Sequence, residues 1–191
     1  MRVLVAEDET LIRLDVCGML EAAGHTVCAE ARDGAEAVEL ARSLEPDLAV
    51  LDVKMPHLDG IEAARRILEE RPVPIVIVSA FSERVLVERA AEAGVFGYLA
   101  KPFREDRLLP AIATARARFE ELVAVRSEVE SLAEALAVRK AIERAKGILM
   151  EKEGLTEAQA FARLRSASQV SGRPMRVLAE AVIATFSTAL A

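Results

Sequence analysis

The chain has 191 residues, 52% of them hydrophobic, with 31 acidic and 25 basic side chains and a formal charge of −6. That length allows one large domain or two small ones, and the hydrophobic fraction is enough for a packed core. The longest apolar run, around Pro74–Val78, is strand-sized and too short to span a bilayer. Glu7, Asp8 and Glu9 exclude a secretory signal peptide, and Cys17 and Cys28 lack metal-ligand spacing, so free thiols in a reducing cytoplasm are expected.

Five apolar runs come first along the chain: Arg2–Ala6, Thr26–Ala31, Leu48–Leu51, Ile75–Ser79 and Gly97–Leu99. Helical patterns alternate with them, which predicts an α/β, doubly wound, five-stranded parallel sheet covered on both faces. Asp33 with Glu36, and Asp59 with Glu62, carry the spacing of a helix N-cap followed three residues later by Glu. Gly24 and Gly94 stand where helices should stop.

After Lys101-Pro102 no strand signal returns. From about Glu105 the chain reads as one long helix, with Pro110 tolerated only near its start. Leu122, Val125, Val129, Leu132 and Leu136 follow 3-4-3-4 spacing, a short coiled-coil seam. A connector helix packing that stripe on its own protein fits the pattern equally. The tail reads as a small helical bundle. Its first helix presents Val138, Ala141, Ile142, Ala145, Ile148 and Leu149, its second Ala160, Phe161 and Leu164. The last helix, Pro174–Ala189, presents Val177, Leu178, Ala181, Val182 and Phe186. Thr156 and Gln159 have capping-box spacing, Gly154 marks a helix stop and Ser171-Gly172 a break.

Polar landmarks stand at the ends of the apolar runs: Glu7-Asp8, Asp52, Ser79 and Lys101-Pro102. Ligands bind at the carboxyl ends of strands in an open parallel sheet, so one rim would gather three carboxylates, a hydroxyl and a lysine. Mg²⁺ takes oxygen ligands, needs only one or two carboxylates and keeps several waters. Asp8 and Asp52 would offer direct oxygens and Glu7 would hold a metal-bound water. An aspartate can form an aspartyl phosphate, so Asp52 is the candidate acceptor. Lys101 would pair with the arriving phosphate and Ser79 would donate a hydrogen bond to it. Pro102 is a candidate cis-proline. Each landmark has an ordinary structural explanation, since Asp starts turns and caps helices, but those explanations do not predict that all share one rim.

The blocks Glu7-Asp8, Asp52–Gly60, Ser79-Ala80 and Tyr98–Phe103 resemble the receiver domain of two-component response regulators, over residues 1–120. The resemblance implies a flavodoxin-like fold and phosphorylation of Asp52 by a sensor histidine kinase. It implies Mg²⁺ bound by Asp8, Asp52 and the backbone carbonyl of Lys54, and a switch through Ser79 and Tyr98. Glu7 departs from the Asp more common there.

Charge divides the chain too. Residues 1–120 carry 15 basic and 22 acidic side chains, whereas residues 137–191 carry 9 and 5. A basic end on an acidic protein points to a separate polyanion-binding task. Lys140, Arg144 and Gly147 fall near one another at helical spacing. A mid-helix glycine costs about 1 kcal/mol, so Gly147 needs a reason, either helix–helix packing or close approach of a partner. The stretch Ala141–Met150, with Ala160–Arg165 and Leu178-Ala179-Glu180, resembles the ANTAR output domain. That resemblance implies binding of RNA hairpins in nascent transcripts and transcription antitermination. Lys140, Arg144, Lys146 and Gly147 are the candidate RNA contacts. Phe161 and Phe186 read as core, which leaves base stacking to Arg144, Arg163, Arg165 or Met150.

The resulting organisation is a receiver domain at 1–120, a coiled-coil linker helix at 121–136 and an ANTAR domain at 137–191, with a homodimer expected on phosphorylation. Three alternatives remain. A DNA-binding output has only Arg176 to read a base edge from the last helix. A phosphatase of the haloacid dehalogenase pattern needs an Asp where Lys54 stands. A purely protein-binding tail would dimerise without RNA. No stand-alone enzyme is expected beyond self-catalysed acceptance and loss of phosphate.

Overall fold

A computed structural model describes residues 1–80 and 84–187. The sequence expectation that the last helix reaches Ala189 falls partly outside those residues. Among the described residues no helix is long and apolar enough to cross a membrane. The chain divides into two compact units, Met1–Val123 and Ala124–Ala191.

The first unit alternates strand and helix: β1 (Arg2–Ala6), α1 (Thr10–Ala22), β2 (Thr26–Ala31), α2 (Gly34–Leu44), β3 (Leu48–Asp52), α3 (Gly60–Glu70), β4 (Ile75–Ser79), α4 (Arg84–Glu92) and β5 (Gly97–Ala100). The strands form one parallel sheet in the order β2-β1-β3-β4-β5. Side chains alternate across a strand. Val3 and Val5 therefore join Leu48, Val50, Val76 and Val78 on one face, packed by Val16 and Leu20 of α1 and by Leu108 and Ile112 further along the chain. Leu4, Ala49, Leu51, Ile75 and Ile77 face the other way, onto Ala37 of α2 and Ile61, Ala64 and Ile67 of α3. Burial on both faces is why these strands read as unbroken apolar runs.

Caps fix where the helices begin. Asp33 accepts a hydrogen bond from the Glu36 N–H, and Asp59 accepts one from the Glu62 N–H. Each such cap stabilises its helix by about 1 kcal/mol. Both aspartates stand in loops that leave the carboxyl ends of strands, Asp33 after β2 and Asp59 after β3. Gly34 lies against the Leu58 backbone and Gly60 against the carbonyl of Asp52, so a side chain at either position would run into main chain.

Helix α5 (Glu105–Glu153) runs without interruption from the first unit into the second. Leu122, Val125, Val129, Leu132 and Leu136 are all more than half exposed along it. The second unit is completed by α6 (Glu157–Ser171) and α7 (Met175–Ser187). Thr156 and Gln159 form the reciprocal capping box at the start of α6, and Gly172 ends that helix in the left-handed conformation, at φ 66°. The core here is thin: Ala145 and Leu149 of α5, Ala160 and Leu164 of α6, Ala179 of α7.

Two sequence expectations need correction in this unit. The buried side of α7 is Met175, Ala179, Val182 and Ile183; Val177 and Ala181 face outward. Ala179 is the fully buried residue of this face. Phe161 is not core. It is 42% exposed, while its neighbour Ala160 fills the contact.

Candidate functional site

The strand order reverses direction between β1 and β3, and the loops leaving those two strands diverge there. That crevice is where a doubly wound sheet binds its ligand. β1 delivers Glu7 and Asp8, and β3 delivers Asp52. Their carboxylate oxygens can be chosen to lie within 4.8 Å of one another. Glu7 and Asp52 are buried and Asp8 is exposed. Lys101 follows β5, and its ammonium lies 2.5 Å from Glu7 Oε2 and 2.6 Å from Asp52 Oδ1. The Lys101–Pro102 peptide is cis. Ser79, fully buried, ends β4 beside Ala100 of β5, one residue beyond Val78, which pairs with Asp52. Tyr98 lies on β5, half-buried against the α2–α3–α4 layer.

Sequence reasoning missed the residue beneath this pocket. Arg13, on α1 and buried, donates to the Glu7 carbonyl at 2.7 Å and pairs with Glu30 at 3.1 Å. It pins the backbone that turns Glu7 and Asp8 toward Asp52. No pattern announces it, because a first-turn arginine on a helix normally points to water. Arg89 of α4 likewise binds the Asp59 cap at 3.0 Å and ties the acceptor loop to α4.

The electrostatics are those of a site short of positive charge. Burial pushes the Asp52 carboxyl above its usual range, against the pull of Lys101 and of a backbone N–H from Lys54. Burial raises Glu7 too, again opposed by Lys101, and the Asp52 charge adds to the rise. For Lys101 burial works against the charge, but its bonds to Asp52 and Glu7 outweigh that and hold its pKa above that of an ordinary lysine. Two of the three carboxylates, Glu7 and Asp52, share one ammonium, and the third, Asp8, stands exposed beside them. That all-oxygen donor set, with one member open to solvent, fits a hard divalent cation such as Mg²⁺.

A profile of the response regulator receiver domain matches residues 3–113, and one of the ANTAR domain matches residues 130–183. The chain belongs to the receiver–ANTAR response regulators. It is 50% identical over 187 residues, 98% of this chain and 91% of the other, to the transcriptional regulatory protein PdtaR of Mycobacterium tuberculosis. It is 34% identical over 112 residues, 58% of this chain and 93% of the other, to the chemotaxis protein CheY of Thermotoga maritima. Among solved structures, the N-terminal domain of a response regulator/sensory box/GGDEF 3-domain protein from Carboxydothermus hydrogenoformans superposes with a TM-score of 0.59. It is 27% identical and covers 64% of this chain and 99% of that one. Receiver domains generally bind Mg²⁺ in an acidic pocket, and Glu7, Asp8 and Asp52 form an acidic cluster here.

In the ANTAR unit of this receiver–ANTAR protein, Lys140, Arg144 and Gly147 are exposed on α5. Nothing lies within 4 Å of where a Cβ would stand on Gly147, so helix packing is not its reason. Lys146 departs from expectation. It is 7% exposed, with its ammonium 2.9 Å from Glu143 and 2.7 Å from Glu157. The bonds to Glu157 and Glu143 raise its pKa. It joins α5 to the first turn of α6 and is not a free cation for a phosphate. Arg163 is also taken, by Glu153, and Arg176 by Glu180 and Glu134. Arg139, Lys140, Arg144 and Arg165 are exposed and have no acidic partner among the described residues.

Proposed function

We propose that the chain is a phosphorylation-controlled transcription antiterminator: Asp52 accepts a phosphoryl group from a sensor histidine kinase, and the ANTAR unit then binds RNA hairpins in nascent transcripts. The observation that carries the reading is the convergence of Asp52, Glu7, Asp8 and Lys101 at one strand edge. An Asp52 carboxylate oxygen attacks phosphorus. The bond from phosphorus to the donor nitrogen breaks, and its electron pair leaves with the imidazole. Lys101 then trades its bond to Asp52 for one to a phosphoryl oxygen, and Ser79 donates to another. Direct metal ligands would be Asp8, Asp52 and the Lys54 carbonyl, with Glu7 acting through water. A divalent cation held there would neutralise charge on the transferring oxygens. Phosphorylation brings negative charge and three acceptor oxygens to the rim, and repacking of Ser79 and Tyr98 carries the change to the β4–β5 surface. Treatment with acetyl phosphate and Mg²⁺ should label the wild-type chain and leave Asp52→Asn unlabelled; stoichiometric labelling of that variant would refute the assignment.

The exposed stripe on α5 supports a homodimer of the phosphorylated form. In heptad terms Leu122, Val129 and Leu136 are a positions and Val125 and Leu132 are d positions. Glu121 then stands at g and Arg126 at the following e, so a parallel, in-register pair sets Glu121 of each copy opposite Arg126 of the other. Two joined output units would bind two hairpins with avidity beyond either alone. A duplex-DNA output is disfavoured, because Arg176 is held by Glu180 and Glu134.

A further inference from the structure

Phe161 is the one exposed Phe, Tyr or Trp among the described residues, in a chain with six Phe, one Tyr and no Trp. A single exposed phenylalanine is ordinary by itself. Its setting is not. Glu157, Phe161 and Arg165 follow at steps of four along α6, so they share one side of that helix. At the near end the Glu157 carboxylate is neutralised by the buried Lys146. At the far end Arg165 is exposed and has no acidic partner among the described residues. The ring is thus flanked by a silenced acid and an available cation, on a unit whose residues 137–191 carry nine basic and five acidic side chains. Sequence-specific RNA recognition takes unstacked loop bases onto aromatic faces while cations hold the backbone.

Resting on the RNA-binding reading above, we propose that Phe161 is a stacking platform for an unpaired base of the hairpin loop, with Arg165, one turn further along α6, on the adjoining phosphate. Lys146 serves as a positioning residue. It holds Glu157 away from the incoming phosphates and fixes the start of α6.

The test uses the full chain treated with acetyl phosphate and Mg²⁺, and the tightest-binding member of a random-loop RNA hairpin pool. Phe161→Leu keeps apolar bulk and removes the ring; Phe161→Trp keeps a ring and creates the chain's sole tryptophan. Stacking on one base is worth about tenfold or more in affinity. Phe161→Leu should therefore bind at least about tenfold more weakly, with an unchanged melting temperature. Phe161→Trp should bind like wild type, and its fluorescence should be quenched by the hairpin. An abasic hairpin, with the stacked base removed, should bind wild type and Phe161→Leu alike. Equal affinity of wild type and Phe161→Leu for the intact hairpin would overturn the stacking proposal while leaving RNA binding standing. So would dispersal of the dimer by Phe161→Leu with per-protomer RNA affinity intact, which would assign the ring to a protein contact. A wild-type chain that binds no hairpin in the pool would overturn both readings together.

Discussion

Gly60 and Gly147 show how differently the two halves of this chain are built. Gly60 opens α3 against the carbonyl of Asp52, where any side chain would strike main chain; Gly147 lies mid-helix in α5 with open space around it. The receiver surrounds its site with a sheet whose two apolar layers bury Leu4, Leu20, Leu48, Leu51, Ile75, Ile77, Leu108 and Ile112 completely or nearly so. Its backbone cannot give way. Among the described residues the ANTAR unit has five buried apolar side chains, three of them alanine, and ties its helices with ion pairs such as Lys146–Glu157 and Arg176–Glu134. Burying a large aliphatic side chain stabilises by about 1.5–3 kcal/mol, and alanine contributes far less. The candidate site therefore sits in the more thickly packed half, while the ANTAR half has the thinner core.

The same substitution should then have opposite signs in the two halves. Gly60→Ala should destabilise the receiver by roughly 3 kcal/mol, the cost of overpacking against immovable backbone, and abolish labelling by acetyl phosphate. Urea unfolding that leaves Gly60→Ala as stable as wild type would show that the acceptor loop is more yielding than its contacts imply. The receiver's shortage of positive charge gives the next effect. A divalent cation at about ten times its dissociation constant stabilises the folded state by roughly 1.4 kcal/mol. Millimolar Mg²⁺ should raise the receiver's melting temperature, and Asp8→Ala should lose that response. A full response in Asp8→Ala would move the metal elsewhere.

The comparison also explains what could be read in advance. All five strands were legible: β3 and β4, and β1 after Arg2, are buried on both sheet faces and read as apolar runs, while the edge strands β2 and β5 are only partly buried; β3 and β5 only extend one residue further, to Asp52 and Ala100. The convergence of Glu7, Asp8, Asp52 and Lys101 was legible too, since strand ends in a parallel sheet share an edge. Arg13 was not, because its burial depends on a backbone carbonyl six residues away rather than on any periodicity. In the alanine-rich ANTAR helices the pattern misassigned faces. Ala160 and Ala179 fill the contacts that Phe161 and Val177 suggest by their size. Lys146 reads as a surface cation until Glu157, eleven residues on in another helix, is brought beside it.

The linker offers a smaller test. Val129→Asp places a charge in the exposed stripe of α5, where Val129 is 59% exposed. Its unfolding free energy should stay within about 0.5 kcal/mol of wild type, as for surface substitutions generally. Light scattering should nonetheless show the phosphorylated variant as a monomer. Dimerisation that survives Val129→Asp would move the interface off this seam.

The smallest expected shifts in stability separate the two roles that one helix face combines. Gly147→Ala removes the flexibility of a mid-helix glycine and meets no neighbour, so it should stabilise the ANTAR unit by up to about 1 kcal/mol. If Gly147 is kept for close approach of RNA, the same change should weaken hairpin binding, and stability and affinity would move in opposite directions. Arg144→Ala should barely alter unfolding, because Arg144 is exposed and unpaired among the described residues. It should lower the slope of log affinity against log salt by about 1, the loss of one phosphate contact. Lys146→Met should do the reverse, lowering the melting temperature through loss of the link to Glu157 while leaving the salt slope near the wild-type value. A reduced slope in Lys146→Met with unchanged stability would mean that the lysine leaves its carboxylates for the RNA, and the division between positioning and contacting residues would have to be redrawn along α5.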